Sequence, residues 1–121
     1  MNNEQIEKEI QEKGLTAPRV TPNDIEMNIT EEVYFTAEDG YVASQGKTND
    51  KLSLLTFCVL VLKNGFTVTG ESACVSPENF DAELGRKIAR QNAVQKIWPL
   101  MGYELKQRQH ECINKTNQSL F

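Results

Sequence analysis

Three cysteines and a single histidine are the residues of this chain best suited to covalent chemistry, and their positions keep them apart. Cys58 and Cys74 fall in strand-like segments, whereas His110 and Cys112 fall in a polar end segment. No thiol is therefore expected to meet the imidazole as a nucleophile–base pair. A zinc site from the same residues lacks paired spacing and a fourth good ligand. Gly46-Lys47-Thr48 resembles the end of a phosphate-binding P-loop. The glycine needed five positions earlier is Tyr41, however, and a strand-like segment follows where that motif needs a helix. Carboxylates are plentiful, yet no pair is marked out for acid–base work. The expectation is a protein that is not an enzyme, with no catalytic residue, metal or cofactor.

What remains is binding chemistry. Arg86, Arg90 and Arg108, together with Asn92, form the best anion-binding set available, and Phe80, Trp98 and Tyr103 are either core residues or platforms for a stacked ring. Asn92 falls on a helix face expected to be buried, where an unsatisfied amide costs about 1–3 kcal/mol. It either bonds a neighbouring backbone group or reads a ligand. Charge is unevenly placed: residues 1–40 hold ten acids against three bases, and residues 84–110 hold six bases against one acid. A solvated helix face, a local anion site or an acidic end meeting a basic segment across subunits each fits that asymmetry.

Several elements must position these side chains. Residues 3–13 read as a short charged helix ended by Gly14, and Thr21-Pro22-Asn23-Asp24 reads as the start of a second. Residues 33–35 suggest a short strand, and the polar run 40–50 a flexible loop. The centre reads as a hairpin over about residues 52–75, with Asn64-Gly65 as a type I′ turn that sets Lys63 opposite Phe66 and Val61 opposite Val68. That register puts Phe57, Val59, Val61, Phe66 and Val68 on one face, with Leu54, Leu60 and Leu62 beside Thr67, Thr69 and Glu71 on the other. Gly70 suits a bulge.

Ser76-Pro77-Glu78 opens a long helix over about residues 80–98, which Pro99 ends or kinks. Phe80, Leu84, Ile88 and Trp98 lie on one side of it, beside a strip of Ala82, Gly85, Ala89 and Ala93 small enough for close approach to a sheet or a partner helix. Arg86, Lys87 and Arg90 cluster opposite. The expected class is α+β, an antiparallel sheet built on the hairpin and packed against the long helix, with short N-terminal helices. The surplus apolar face at Leu54, Leu60 and Leu62 and the small strip suggest a self-interface.

With 121 residues, 39% hydrophobic and 25% charged, the chain suits one domain over residues 1–110 and a flexible tail over 111–121. Its longest apolar stretch, Leu54–Leu62, is far shorter than the ~20 residues a membrane helix needs. The start lacks the basic and apolar regions of a signal peptide, and an odd number of unpatterned cysteines fits a reducing cytoplasm. A net charge of -4 argues against tracking a long nucleic acid.

Leu54-Leu55-Thr56-Phe57-Cys58-Val59-Leu60, Asn64-Gly65-Phe66-Thr67-Val68-Thr69-Gly70-Glu71-Ser72 and Pro77-Glu78-Asn79-Phe80-Asp81 are more specific than generic patterning. With Gly85-Arg86-Lys87-Ile88-Ala89-Arg90-Gln91-Asn92-Ala93, Ile97-Trp98-Pro99-Leu100-Met101-Gly102-Tyr103 and the opening Gly14-Leu15-Thr16-Ala17-Pro18-Arg19-Val20, the chain resembles the phage gp forty-nine/gp sixty-six family across residues 4–108. The resemblance implies kinship with the first-described Thoeris anti-defence proteins, phage sponges that hold cyclic ADP-ribose signals, and in some members cyclic oligonucleotides, without cleaving them. It implies a homodimer or hexamer working in the cytoplasm of an infected bacterium, with pockets where a helix meets a neighbouring subunit. Phe80, Arg86, Arg90, Asn92, Tyr103 and Arg108 are the expected ligand-binding residues. The alternative is a small phage structural or protein-interaction module with no nucleotide ligand.

Overall fold

The computed structural model describes residues 2–119, with side chains described as far as Asn114. The chain forms two compact units: Asn28–Lys96, and the residues before Asn28 together with those after Lys96. The class is α+β, as the sequence predicts.

The Asn28–Lys96 unit is built on a three-stranded antiparallel sheet in which β1 (Ile29–Thr36), β2 (Leu55–Leu62) and β3 (Thr67–Ala73) are neighbours in that order. The loop between β2 and β3 corrects the sequence expectation. Gly65 N donates to Leu62 O at 2.9 Å and Leu62 N to Phe66 O at 2.8 Å. Among the described residues only glycines have positive φ, with Gly65 at 88°. Asn64 thus lacks the positive φ of a type I′ turn. The loop is the three-residue kind, a tight turn over Lys63 and Asn64 followed by a left-handed glycine. Asn64 favours it by accepting the Phe66 amide on Oδ1 at 2.9 Å.

The extra loop residue moves the register by one, so Leu60 pairs with Val68 and Cys58 with Gly70. A one-residue slip exchanges faces. Thr56, Cys58, Leu60 and Leu62 share the buried inner face with Val68 and Gly70, whereas half-buried Phe57, Val59 and Val61 share the outer face with exposed Thr67, Thr69 and Glu71. On β1, Val33 and Phe35 continue that outer face opposite Val59 and Phe57. Phe35 and Phe57 stack with centroids 5.4 Å apart.

Gly70 forms no bulge. A Cβ there would run into the Ala89 carbonyl oxygen and the Ala93 amide nitrogen, and one on Gly85 would sit 3.2 Å from Thr56 Oγ1. These glycines let the helix α4 (Ala82–Ser119) lie close against the sheet. Its buried positions Ala89, Ala93 and Ile97 follow a four-residue spacing, while Leu84 and Ile88 are exposed. The expected stripe of large residues therefore gives way to the small strip, because only small side chains fit so close an approach. Of the strip and the apolar face read from sequence as a self-interface, Leu60, Leu62, Ala89 and Ala93 are already buried within the chain, whereas Leu54 and Gly85 are half-buried and Ala82 is exposed.

Three boundaries differ from expectation. The run 40–50 read as a flexible loop overlaps α3 (Ala37–Gln45), whose start is closed by a reciprocal cap: Thr36 Oγ1 accepts from the Asp39 amide and Asp39 accepts from the Thr36 amide. Gly46, at φ 68°, ends it. β1 is longer than residues 33–35. α4 begins at Ala82, leaving Phe80 in the preceding loop, and continues past Pro99, which the sequence reads as its end or a kink, to Ser119. Pro99 removes one helical hydrogen bond, and residues on its far side rebuild the helix with i,i+4 pairs such as Glu104–Arg108. Residues 111–119 of the segment read as a tail are helical; Leu120 and Phe121 lie outside the described residues.

In the other unit, α1 (Asn3–Glu12) is capped by Asn2 and Gln5, and α2 (Pro22–Asn28) starts at the expected Thr21-Pro22-Asn23-Asp24, where Thr21 and Asp24 cap each other. Arg19 donates to both Glu7 carboxylate oxygens through its two terminal guanidinium nitrogens, Nη1 at 2.8 Å and Nη2 at 2.5 Å.

The close approach of α4 to β3 makes a direct prediction. Gly70→Ala should destabilise the protein by about 1–3 kcal/mol, the usual range for overpacking, as a lower denaturant midpoint; an unchanged midpoint would contradict the packing.

Candidate functional site

The inner face of β1 points two polar side chains, Glu32 and Tyr34, toward the side of the sheet that α4 covers. Arg90 reaches them from the helix. Its Nε donates to Glu32 Oε1 at 2.8 Å and its Nη2 lies 2.7 Å from the same oxygen, while Tyr34 Oη donates to Glu32 Oε2 at 3.1 Å. The Arg90 bond holds the Glu32 carboxyl below the usual carboxylate range. Burial, reinforced by the bond to Glu32, pushes the Tyr34 phenol up to about 12. Burial also pushes the Cys58 thiol up. None of these shifts makes a nucleophile or a general base near neutral pH; the cluster ties helix to sheet.

Beside this network, at the end of β1, lies a cleft of about 110 Å³. Tyr34, Phe35 and Thr36 line it from β1, with Asp39 from the start of α3 and Thr56 from β2. Phe80 and Arg86 line it from the other side. Arg86 is exposed and, among the described residues, engaged in no ion pair. The residues lining the cleft therefore combine aromatic rings, a guanidinium in no ion pair, three hydroxyls and a carboxylate. Its volume is well below the roughly 300–1,000 Å³ typical of small-molecule pockets, so by itself it admits one ring or one phosphate group.

The six residues expected from sequence separate. Phe80 and Arg86 come together in the cleft. Arg90 belongs to the same unit, but its guanidinium is committed to Glu32. Asn92 is exposed, and its Nδ2 donates to Glu71 O at 2.8 Å, so of the two readings left open the backbone contact is the one seen. Tyr103, 75% exposed, and Arg108, paired with Glu104 at 3.3 Å, belong to the other unit. That unit has its own open hollow of about 450 Å³ beside Leu15, Pro18 and Thr21, where Arg19 is already held by Glu7.

Sequence reasoning missed Glu32, Tyr34, Thr36 and Asp39. Thr36-Ala37-Glu38-Asp39 was the available signal, since a Thr followed three residues later by an acid marks a capped helix start. Among the described residues no His, Cys, Asp and Glu group could hold a metal ion, and no helix is long and apolar enough to cross a membrane.

Residues 20–109 match the family model described as Phage protein (N4 Gp49/phage Sf6 gene 66) family. No curated protein and no solved structure matches the chain.

The Tyr34–Glu32–Arg90 cluster sets the pH behaviour. Tyrosinate absorbance should show one of the three tyrosines ionising only at about pH 12, a component that Tyr34→Phe removes. Glu32 is shifted down, so its stabilising contribution is complete above the unfolded value of about 4.3 and lost as pH falls through the lower folded value. Glu32→Gln should remove that acid-side loss from the stability–pH profile; an unaltered profile would contradict the pair's role.

Proposed function

Because the chain belongs to this phage protein family, we propose that it sequesters a cyclic ADP-ribose-type immune signal without cleaving it and so blocks Thoeris defence. The observation that carries the reading is the cleft lined by both Phe80 and Arg86, the latter in no ion pair among the described residues. An adenine needs a flat apolar surface and a pyrophosphate needs a cation, and these two side chains supply one of each. The deep groups nearby, Tyr34 and Cys58, are held protonated by their surroundings, which suits holding a ligand over attacking it. Cyclic oligonucleotides present the same phosphate and base chemistry and are a second ligand class for the same cleft.

Magnitudes say how the site is completed. A stacked base contributes about 1–3 kcal/mol and a charge-assisted hydrogen bond about 1.5–3 kcal/mol. One of each falls short of the roughly −8 kcal/mol that micromolar binding requires. The cleft's small volume points the same way, so a second copy of the chain supplies the remaining walls, in a homodimer or a hexamer of such pairs.

The outer sheet face favours a second reading, a protein-interaction module. Val33 and Phe35 are 48% and 37% exposed there, beside half-buried Phe57, Val59 and Val61.

Calorimetry with cyclic ADP-ribose isomers distinguishes the two. Wild type should bind at least one isomer and release it chemically intact on heat denaturation, and Arg86→Ala should weaken binding about 10- to 100-fold. Binding of no isomer would remove the sequestration reading and leave the interaction module.

A further inference from the structure

We propose that Asp39 is the specificity residue of the cleft, its carboxylate accepting hydrogen bonds from a ribose diol while Arg86 takes the phosphate of the same ligand. The proposal rests on the nucleotide-binding reading above. Asp39 sits in the first turn of α3, where its Oδ2 accepts from the Thr36 amide at 2.8 Å. Among the described residues Oδ1 accepts nothing. Arg86 comes from α4 and is likewise unpaired. The two opposite charges line one cleft of about 110 Å³, yet no ion pair within 4.0 Å joins them. Both line the cleft without pairing with each other, so a ligand that enters it meets an acceptor and a cation together.

That requirement selects a ligand class. A simple anion such as pyrophosphate answers Arg86 but sets its own negative charge against Asp39. A ribonucleotide answers both, since a vicinal diol donates two hydroxyl hydrogens and a carboxylate is well matched to accept them, as acidic residues do for ribose in dinucleotide sites. Phe80 adds an apolar surface on the same side. The carboxylate thus selects for a sugar diol and against bare phosphate.

The test uses the full-length chain, calorimetry and four probes: a cyclic ADP-ribose isomer that wild type binds, its two analogues deoxygenated at the 2′ position of either ribose, and inorganic pyrophosphate. Asp39→Asn is the variant of choice because its amide oxygen can keep the cap on Thr36, and an unchanged melting temperature confirms that the cap survives. In wild type, one deoxygenation should weaken binding at least about tenfold. In Asp39→Asn the intact ligand should bind that much more weakly, and the same deoxygenation should then make little further difference. Pyrophosphate should bind the variant more tightly than wild type. Equal losses on deoxygenation in wild type and variant, or unchanged binding of the intact ligand by the variant, would overturn the role of Asp39 and leave the nucleotide reading standing. Failure of wild type to bind any cyclic ADP-ribose isomer would overturn both.

Discussion

The contact on which the rest of the Asn28–Lys96 unit depends is the close approach of one helix to one strand, where Gly70 of β3 meets the backbone of Ala89 and Ala93. Two helical side chains of one methyl each and a strand residue with none leave almost no layer of side chains between helix and sheet. Everything polar along that seam takes its place from this spacing. Gly85 passes over Thr56, Asn92 reaches the Glu71 carbonyl, and Arg90 reaches Glu32. The spacing leaves room at one end of β1 for a small cleft, where the helix begins and Phe80, a ring atom of which lies close to Gly85, forms part of the lining.

The same constraint explains which parts of the fold were legible in the sequence. Local chemistry was readable where a few residues decide an outcome: Thr21-Pro22-Asn23-Asp24 starts a helix, Gly14 ends one, and the apolar run from Leu55 to Leu62 is a strand. Register was not, because Asn64-Gly65 serves both a two-residue and a three-residue loop, and the choice turns on a single dihedral angle at Asn64. One residue of difference moved Val68 to the other side of β2's pattern. Helix orientation failed for a related reason. Leu84 and Ile88 look like the buried stripe by hydrophobicity, but a sheet at this distance admits only Ala89 and Ala93.

The candidate site was half legible. Phe80 and Arg86 are identifiable as an aromatic and a cation within one segment, and both line the cleft. Asn92 and Arg90 looked equally suitable by type, yet each has a partner within the fold, a backbone carbonyl and a carboxylate. Side-chain type gives binding capacity; only the three-dimensional arrangement says whether that capacity is already used. The acidic first third of the chain is an example. Glu7 and Glu32 hold arginines, whereas one oxygen of Asp39 accepts nothing among the described residues, and nothing in the charge count distinguishes them.

We propose that ligand recognition concentrates in the cleft lined by the end of β1, the start of α3 and the first two turns of α4. Backbone amide NMR during titration with a cyclic ADP-ribose isomer tests this most directly, because it reports position independently of affinity. The account predicts saturable shifts centred on Thr36, Asp39, Thr56, Phe80 and Arg86. Shifts confined to the outer sheet residues Val33, Val59 and Val61, or to the hollow beside Leu15 and Thr21, would contradict it.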